Sequence, residues 1–158
     1  MKRIILFATI IIGSGVLVTN IYTSVVDNTS WGSDIPNSVA TARNYYQKVN
    51  PGNFFRIFSP LLQFISLLAF ILYWKTARPV RWLLAAAFLF FILGEMMTFN
   101  YFYPKNEILF ATAKLNDVEL LTKTWQEWRD MNWVRTAVVF AGVVCSCISL
   151  HKVYTISK

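Results

Sequence analysis

Charge is scarce in this chain, and so are the residues that hold metals. Only 15% of its 158 residues are charged, where a soluble domain carries roughly 25%. The single histidine, His151, cannot supply bis-histidine haem ligation, a zinc histidine cluster or a two-histidine facial triad. It sits beside Lys152, as an interfacial anchor would. The only two cysteines, Cys145 and Cys147, are two apart, so on a helix they diverge and are badly placed to bond each other. They read as small buried thiols. Glycine is sparse too, and Gly13, Gly15, Gly94 and Gly142 fit close contacts between helices better than phosphate loops. No repeat and no low-complexity stretch breaks the chain. Without an inverted repeat or paired broken helices, transport is the least favoured function class. No metal and no cofactor is expected.

What the chain has in excess is apolar surface. Hydrophobic residues make up 56% of it, with six Trp and thirteen Phe, too much for one small aqueous core. A membrane-spanning helix needs about 20 mostly apolar residues. Four segments qualify: residues 4–26, 57–74, 82–103 and 131–150, the last two holding one charge each, Glu95 and Arg135. The expected fold is all-α, an integral membrane four-helix bundle, residues 1–158 forming one membrane domain with an ordered extracytoplasmic cap. The first span follows Lys2 and Arg3, but it is too long for a signal peptide and lacks a small-x-small cleavage site, so it reads as an uncleaved anchor.

Basic residues in short loops favour the cytoplasmic side. With both termini inside, Lys2, Arg3, Lys75, Arg78, Arg81, Lys152 and Lys158 face the cytoplasm with no acidic residue among them. The two outer segments balance seven basic residues against seven acidic ones, and Glu95 offsets Arg135, so the whole net charge of +7 lies on one face. That removes the case for nucleic acid and places the protein in the inner or plasma membrane with two extracytoplasmic loops. The short connection 75–81 predicts a tight antiparallel hairpin. The first outer segment predicts a short helix from about Ser38 to Val49, ahead of the turn Asn50-Pro51-Gly52-Asn53. The second, with Leu109, Phe110, Leu115, Leu120, Leu121, Trp125 and Trp128, predicts a cap packed on the bundle. Tyr73, Trp74, Trp82, Tyr101 and Tyr103 fit interfacial belts.

Ionisable residues inside spans are costly and are functional candidates by default. At 1.5 Å per residue, Glu95 lies about 12 Å and Arg135 about 6 Å below the outer ends of their spans, a gap a long Arg side chain can close. Asn20 approaches the outer end of the first span. Glu95, Thr98 and Phe102 share one helix face, and Trp125, Trp128, Asn132 and Arg135 line one stripe if the fourth helix begins early in the cap. A Glu95–Arg135 pair is expected, serving either to hold the bundle together or to act on a ligand. The candidate catalytic set is Glu95, Arg135 and Asn132, and the candidate ligand-binding set is Thr98, Asn106, Trp125, Trp128 and Asn20.

Several of these residues stand in a recognisable order. The run from Thr98 to Tyr103, then Pro104-Lys105-Asn106, and later Trp125, Trp128, Asn132, Arg135 and Thr136 resembles the anthrone oxygenase-like family of small four-helix membrane proteins. The stretch Tyr46-Gln47-Lys48-Val49-Asn50 with Pro51, Phe54 and Phe55 is similar to the segment before that family's second span. The resemblance implies a fold in which anthrones are oxidised to anthraquinones by molecular oxygen without an obvious cofactor, since the anthrone anion itself reacts with oxygen. It carries polar roles onto Asn50, Thr98, Asn106, Trp128, Asn132 and Arg135. Phe102 stands where many relatives have Asn, and Trp133 where many have a His that could act as a base.

Three classes follow. The first is a cofactor-independent oxygenase-like protein and the second a binder of a hydrophobic aromatic small molecule, both using a polar and aromatic pocket in the outer half of the bundle. The third is an accessory subunit packed against a larger membrane complex, or a homo-oligomer. Membrane lipid is a partner in all three.

Overall fold

The computed structural model describes residues 2–111 and 117–156; Leu115 and Lys158, placed above in the cap and at the inner face, lie outside the described residues. Four helices are long and apolar enough to cross a membrane, running over Lys2–Trp31, Pro51–Leu72, Arg78–Ala111 and Val118–Ile156. This is an all-α integral membrane bundle. In finer detail α1 is Lys2–Tyr22, α2 Asn28–Trp31, α3 Asn37–Tyr45, α4 Pro51–Leu72, α5 Arg78–Met97, α6 Tyr103–Asn106 and α7 Val118–Ile156. Three π-helical turns, Thr23–Asp27, Thr98–Phe102 and Glu107–Ala111, connect or extend them.

The helices pack in the cyclic order α1, α4, α5, α7. Asn50 starts α4 by a reciprocal cap: its Oδ1 accepts from the Gly52 amide at 2.8 Å and its own amide donates to Asn53 Oδ1 at 3.1 Å. Two backbone groups left over at the helix start are satisfied in this way, and Pro51 at the first position lacks the third. Pro79 plays the same opening role in α5.

The core has three levels. At the end that carries Lys2 and Lys152, the inner end in the charge reading above, Leu6, Tyr73, Val80, Leu84 and Val153 cluster, so Tyr73 is a buried core residue and not part of an interfacial belt. Trp74 and Trp82 stay exposed, with the Arg81 guanidinium over both rings. In the middle, Val16, Leu62, Ala87, Phe91, Val139 and Val143 pack together. Gly13, Gly94 and Gly142 face neighbouring side chains here, while Gly15 faces outward with no atom near it. Cys145 is half-buried and Cys147 exposed, both as free thiols, so only one of the two is partly sheltered.

The third level is the cap, and its construction differs from two outer loops. A bilayer core is roughly 30 Å thick and a helix rises 1.5 Å per residue, so the 39 residues of α7 exceed a span by several turns. The α1 and α5 helices likewise continue outward through π turns to Trp31 and Ala111. The cap consists of these extensions with α3 laid across them. Pro104 does not stop the third helix, because it falls in the first turn of α6, where a missing N–H is tolerated. Arg43 on α3 donates from Nε to the Leu109 carbonyl at 2.6 Å and from Nη2 to the Ile108 carbonyl at 3.1 Å. Trp31, Ala42, Phe102, Leu109, Leu121 and Trp128 form the cap's buried cluster.

Candidate functional site

Each π turn gives residues to one cavity at the outer end of the bundle: Thr23 from the first, Thr98 and Phe102 from the second, Glu107, Phe110 and Ala111 from the third. Such turns insert an extra residue into the helical ladder, re-aim the side chains and recur at functional sites. The cavity has a volume of about 630 Å³, inside the roughly 300–1,000 Å³ of small-molecule sites. Trp31, Tyr46, Phe55, Phe102, Phe110 and Trp128 supply aromatic wall, and Arg43, Glu95, Thr98, Asn106 and Arg135 supply polar groups.

Arg135 dominates the inner wall. It is 6% exposed, and its guanidinium stacks 3.9 Å from the Phe102 ring centre, with Phe55 at 5.4 Å and Trp128 at 6.0 Å. Its Nη1 donates to Thr98 Oγ1 at 3.3 Å and its Nη2 to Asn132 Oδ1 at 2.5 Å; Nε has no protein partner. A cation held against ring faces gains attraction that grows as water is excluded. Phe102 makes the closest of these stacks.

Asn132 is fully buried behind Arg135 and does not line the cavity. Its Nδ2 donates to the Asn20 carbonyl at 3.2 Å and to Ser24 Oγ at 2.6 Å. Both amide hydrogens are thereby committed to α1 and the first π turn, which leaves Oδ1 turned to Arg135. Asn132 thus holds the guanidinium from behind, one residue removed from the cavity.

Glu95 also lines the cavity, half-buried, with Ser59 as its hydrogen-bonding neighbour and Arg135 in its field. The expected direct ion pair is absent. Among the described residues the ion pairs within 4 Å are Lys105–Glu127 and Arg129–Asp130. Thr98, Asn132 and the rings occupy Arg135 instead. The two charges share a cavity without touching.

Of the other expected residues, Trp128 sits in the wall with its Nε1 donating to Asn106 Oδ1 at 2.9 Å, and its ring lies 5.2 Å from both Trp31 and Phe102. Trp125 lies elsewhere. Its Nε1 donates to the Asn28 carbonyl at 2.8 Å and its ring covers Gly32, so it fastens α2 to α7. Asn20 does not reach the outer cavity but lines a smaller cleft beneath it. Trp133 is exposed and lines neither space, so a base at that position would point away from the cavity.

Much of the lining was not among the site candidates, Trp31, Phe55, Phe110, Tyr46 and Arg43 included. Tyr46 and Arg43 come from the first outer segment, where the resemblance covers Tyr46 without giving it a role, and α3 packing on the third π turn brings that segment to the cavity. Burial above all, and then the Asp27 carboxylate, push the Tyr46 phenol up, so it remains protonated at the rim as a hydrogen-bond donor.

No curated protein and no solved structure matches this chain. The family model described as anthrone oxygenase matches residues 54–145, more than half of the chain. That stretch holds Glu95, Thr98, Asn106, Trp128, Asn132 and Arg135, and with it the chain belongs to the anthrone oxygenase family.

Proposed function

We propose that the outer cavity binds a flat, phenolic, polycyclic aromatic molecule and that the protein oxidises it with molecular oxygen, without a cofactor. The observation that carries this reading is Arg135, a cation stacked on Phe102 and pinned by Thr98 and Asn132 beside an aromatic-walled cavity. Fixed charge aimed at a developing anion is the usual largest contribution to catalysis of this kind. An anthrone loses a proton from its central methylene carbon, and the charge spreads onto its oxygen, where Arg135 stabilises it. Glu95, with no cation within 4 Å, takes that proton. The carbanion then reduces oxygen and forms a carbon–oxygen bond, and the resulting peroxide anion takes the proton back from Glu95 to give a hydroperoxide. Loss of water leaves the quinone carbonyl, so one anthrone and one oxygen molecule give one anthraquinone and one water. The cavity faces the extracytoplasmic side in this reading, and the aromatic ligand partitions to it from the membrane.

Adding an anthrone to the purified protein should quench tryptophan fluorescence through Trp31 and Trp128 and consume oxygen in equal amount to the quinone formed. Arg135→Ala should abolish uptake and weaken quenching at least tenfold in ligand concentration, about 1.4 kcal/mol of binding. Quenching without oxygen uptake would reduce the protein to a binder. Quenching indifferent to Arg135→Ala would remove this cavity as the site and favour the accessory-subunit reading.

A further inference from the structure

Beneath the outer cavity lies a second, smaller cleft that shares Arg135, Glu95, Thr98 and Phe55 with it and adds Asn20, Ser59 and Gln63. Its volume is about 20 Å³, where one water needs roughly 10–15 Å³ and two to four polar partners. Three buried polar atoms of its lining have no protein partner: Asn20 Oδ1, Gln63 Nε2 and Arg135 Nε. Asn20 is 1% exposed and Arg135 6%. Buried polar atoms in native proteins are almost always hydrogen-bonded, and leaving one without a partner forfeits the bond it made with water. Here one acceptor and two donors line the same water-sized space, together with the Glu95 carboxylate and Ser59.

We propose that this cleft is a site for a single ordered water that bridges Glu95 to Arg135. Arg135 Nε and Gln63 Nε2 donate to the water oxygen, and the water donates its two hydrogens to Asn20 Oδ1 and the Glu95 carboxylate. That arrangement uses four partners with donors and acceptors matched, the most one water can hold. An apolar guest such as an acyl chain end would leave all these groups unmade. The bridge couples the two charges without direct contact and keeps the Glu95 carboxylate on the wall it shares with the outer cavity. The inference does not depend on what the outer cavity binds.

The test is made on the full chain without ligand. A structure at a resolution that shows waters should hold one within hydrogen-bond distance of Arg135 Nε and Asn20 Oδ1. A double-mutant cycle of Glu95→Gln and Arg135→Gln, read as Tm in detergent, should show coupling that falls in a Gln63→Leu background, where the water loses one of its two donors. Coupling unchanged by Gln63→Leu would overturn the proposal, as would a structure in which Arg135 Nε bonds Glu95 directly or a side chain fills the cleft. The first measurement needs no variant, so a poorly folding substitution does not blunt it.

Discussion

The Asn132 side chain makes three hydrogen bonds, with the Asn20 carbonyl, Ser24 and Arg135. Replacing it with leucine, close in size, would strand a carbonyl, a hydroxyl and a guanidinium N–H in a site that water reaches poorly. Each stranded group costs about 1–3 kcal/mol, so Asn132→Leu should lower Tm in detergent by an amount that dwarfs typical surface substitutions. Asn132→Asp keeps the acceptor for Arg135 and should recover part of the loss. A Tm for Asn132→Leu equal to that of the unmodified protein would mean that the network is not formed. Trp128 poses the complementary case. Its Nε1 bond to Asn106 is the polar part of a mostly aromatic packing, so Trp128→Phe should keep the fold while freeing Asn106, and ligand quenching should drop with it. The residue scale also shows what single positions disclose. Arg135 and Asn132 stand out in an apolar run, and their burial follows from that placement. Their exact partners do not follow, because the choice between Glu95 and the Thr98–Asn132–Phe102 set is decided by geometry between helices.

Helix contacts in the middle level depend on small residues at named positions. A methyl group at Gly142 would lie 2.6 Å from Phe91 Cε1 and within 3.0 Å of two further ring atoms, and Phe91 is itself buried among Val16, Leu62 and Val143. The ring cannot move without disturbing the whole layer, and overpacking of this kind costs about 1–3 kcal/mol. At Gly15 the same methyl would meet nothing within 4 Å, so there the helix propensity of alanine, worth up to about 1 kcal/mol over glycine, acts alone. Gly142→Ala should therefore lower Tm and Gly15→Ala should leave it unchanged or raise it; equal effects would place the α5–α7 contact elsewhere. Periodicity marks all four transmembrane glycines alike, since it reports neither the face nor the neighbour. The same limit explains the element boundaries. Hydropathy finds the apolar part of each helix because the bilayer fixes its length, but it stops where charges begin. The α7 helix runs on through Glu119, Lys123, Glu127 and Arg129, since helical geometry itself does not require apolar residues.

For the whole molecule, the decisive property is which end faces the cytoplasm. The inner core cluster joins the start of α1, the end of α4, the start of α5 and the end of α7, and the Arg3 guanidinium lies 4.6 Å from the Tyr154 ring centre. That one end therefore carries Lys2, Arg3, Lys75, Arg78, Arg81 and Lys152, with no acidic residue nearby in sequence. The opposite end carries the cap, where Lys105 pairs with Glu127 and Arg129 with Asp130. Lys and Arg near span ends are retained on the cytoplasmic side, so an end rich in unopposed cations should stay inside while the charge-balanced cap is exported. A reporter active only in the cytoplasm should work when fused after residue 158, and one active only outside should work when inserted between residues 112 and 116. Replacing Lys75, Arg78 and Arg81 with glutamine removes half of the cations named at that end, and a mixed population of orientations should result. If the reporters gave the reverse pattern, the cavity would open to the cytoplasm and its ligand would have to come from there. The cavity's position within the bundle would be unchanged, because the contacts that build it are independent of which side of the bilayer they face.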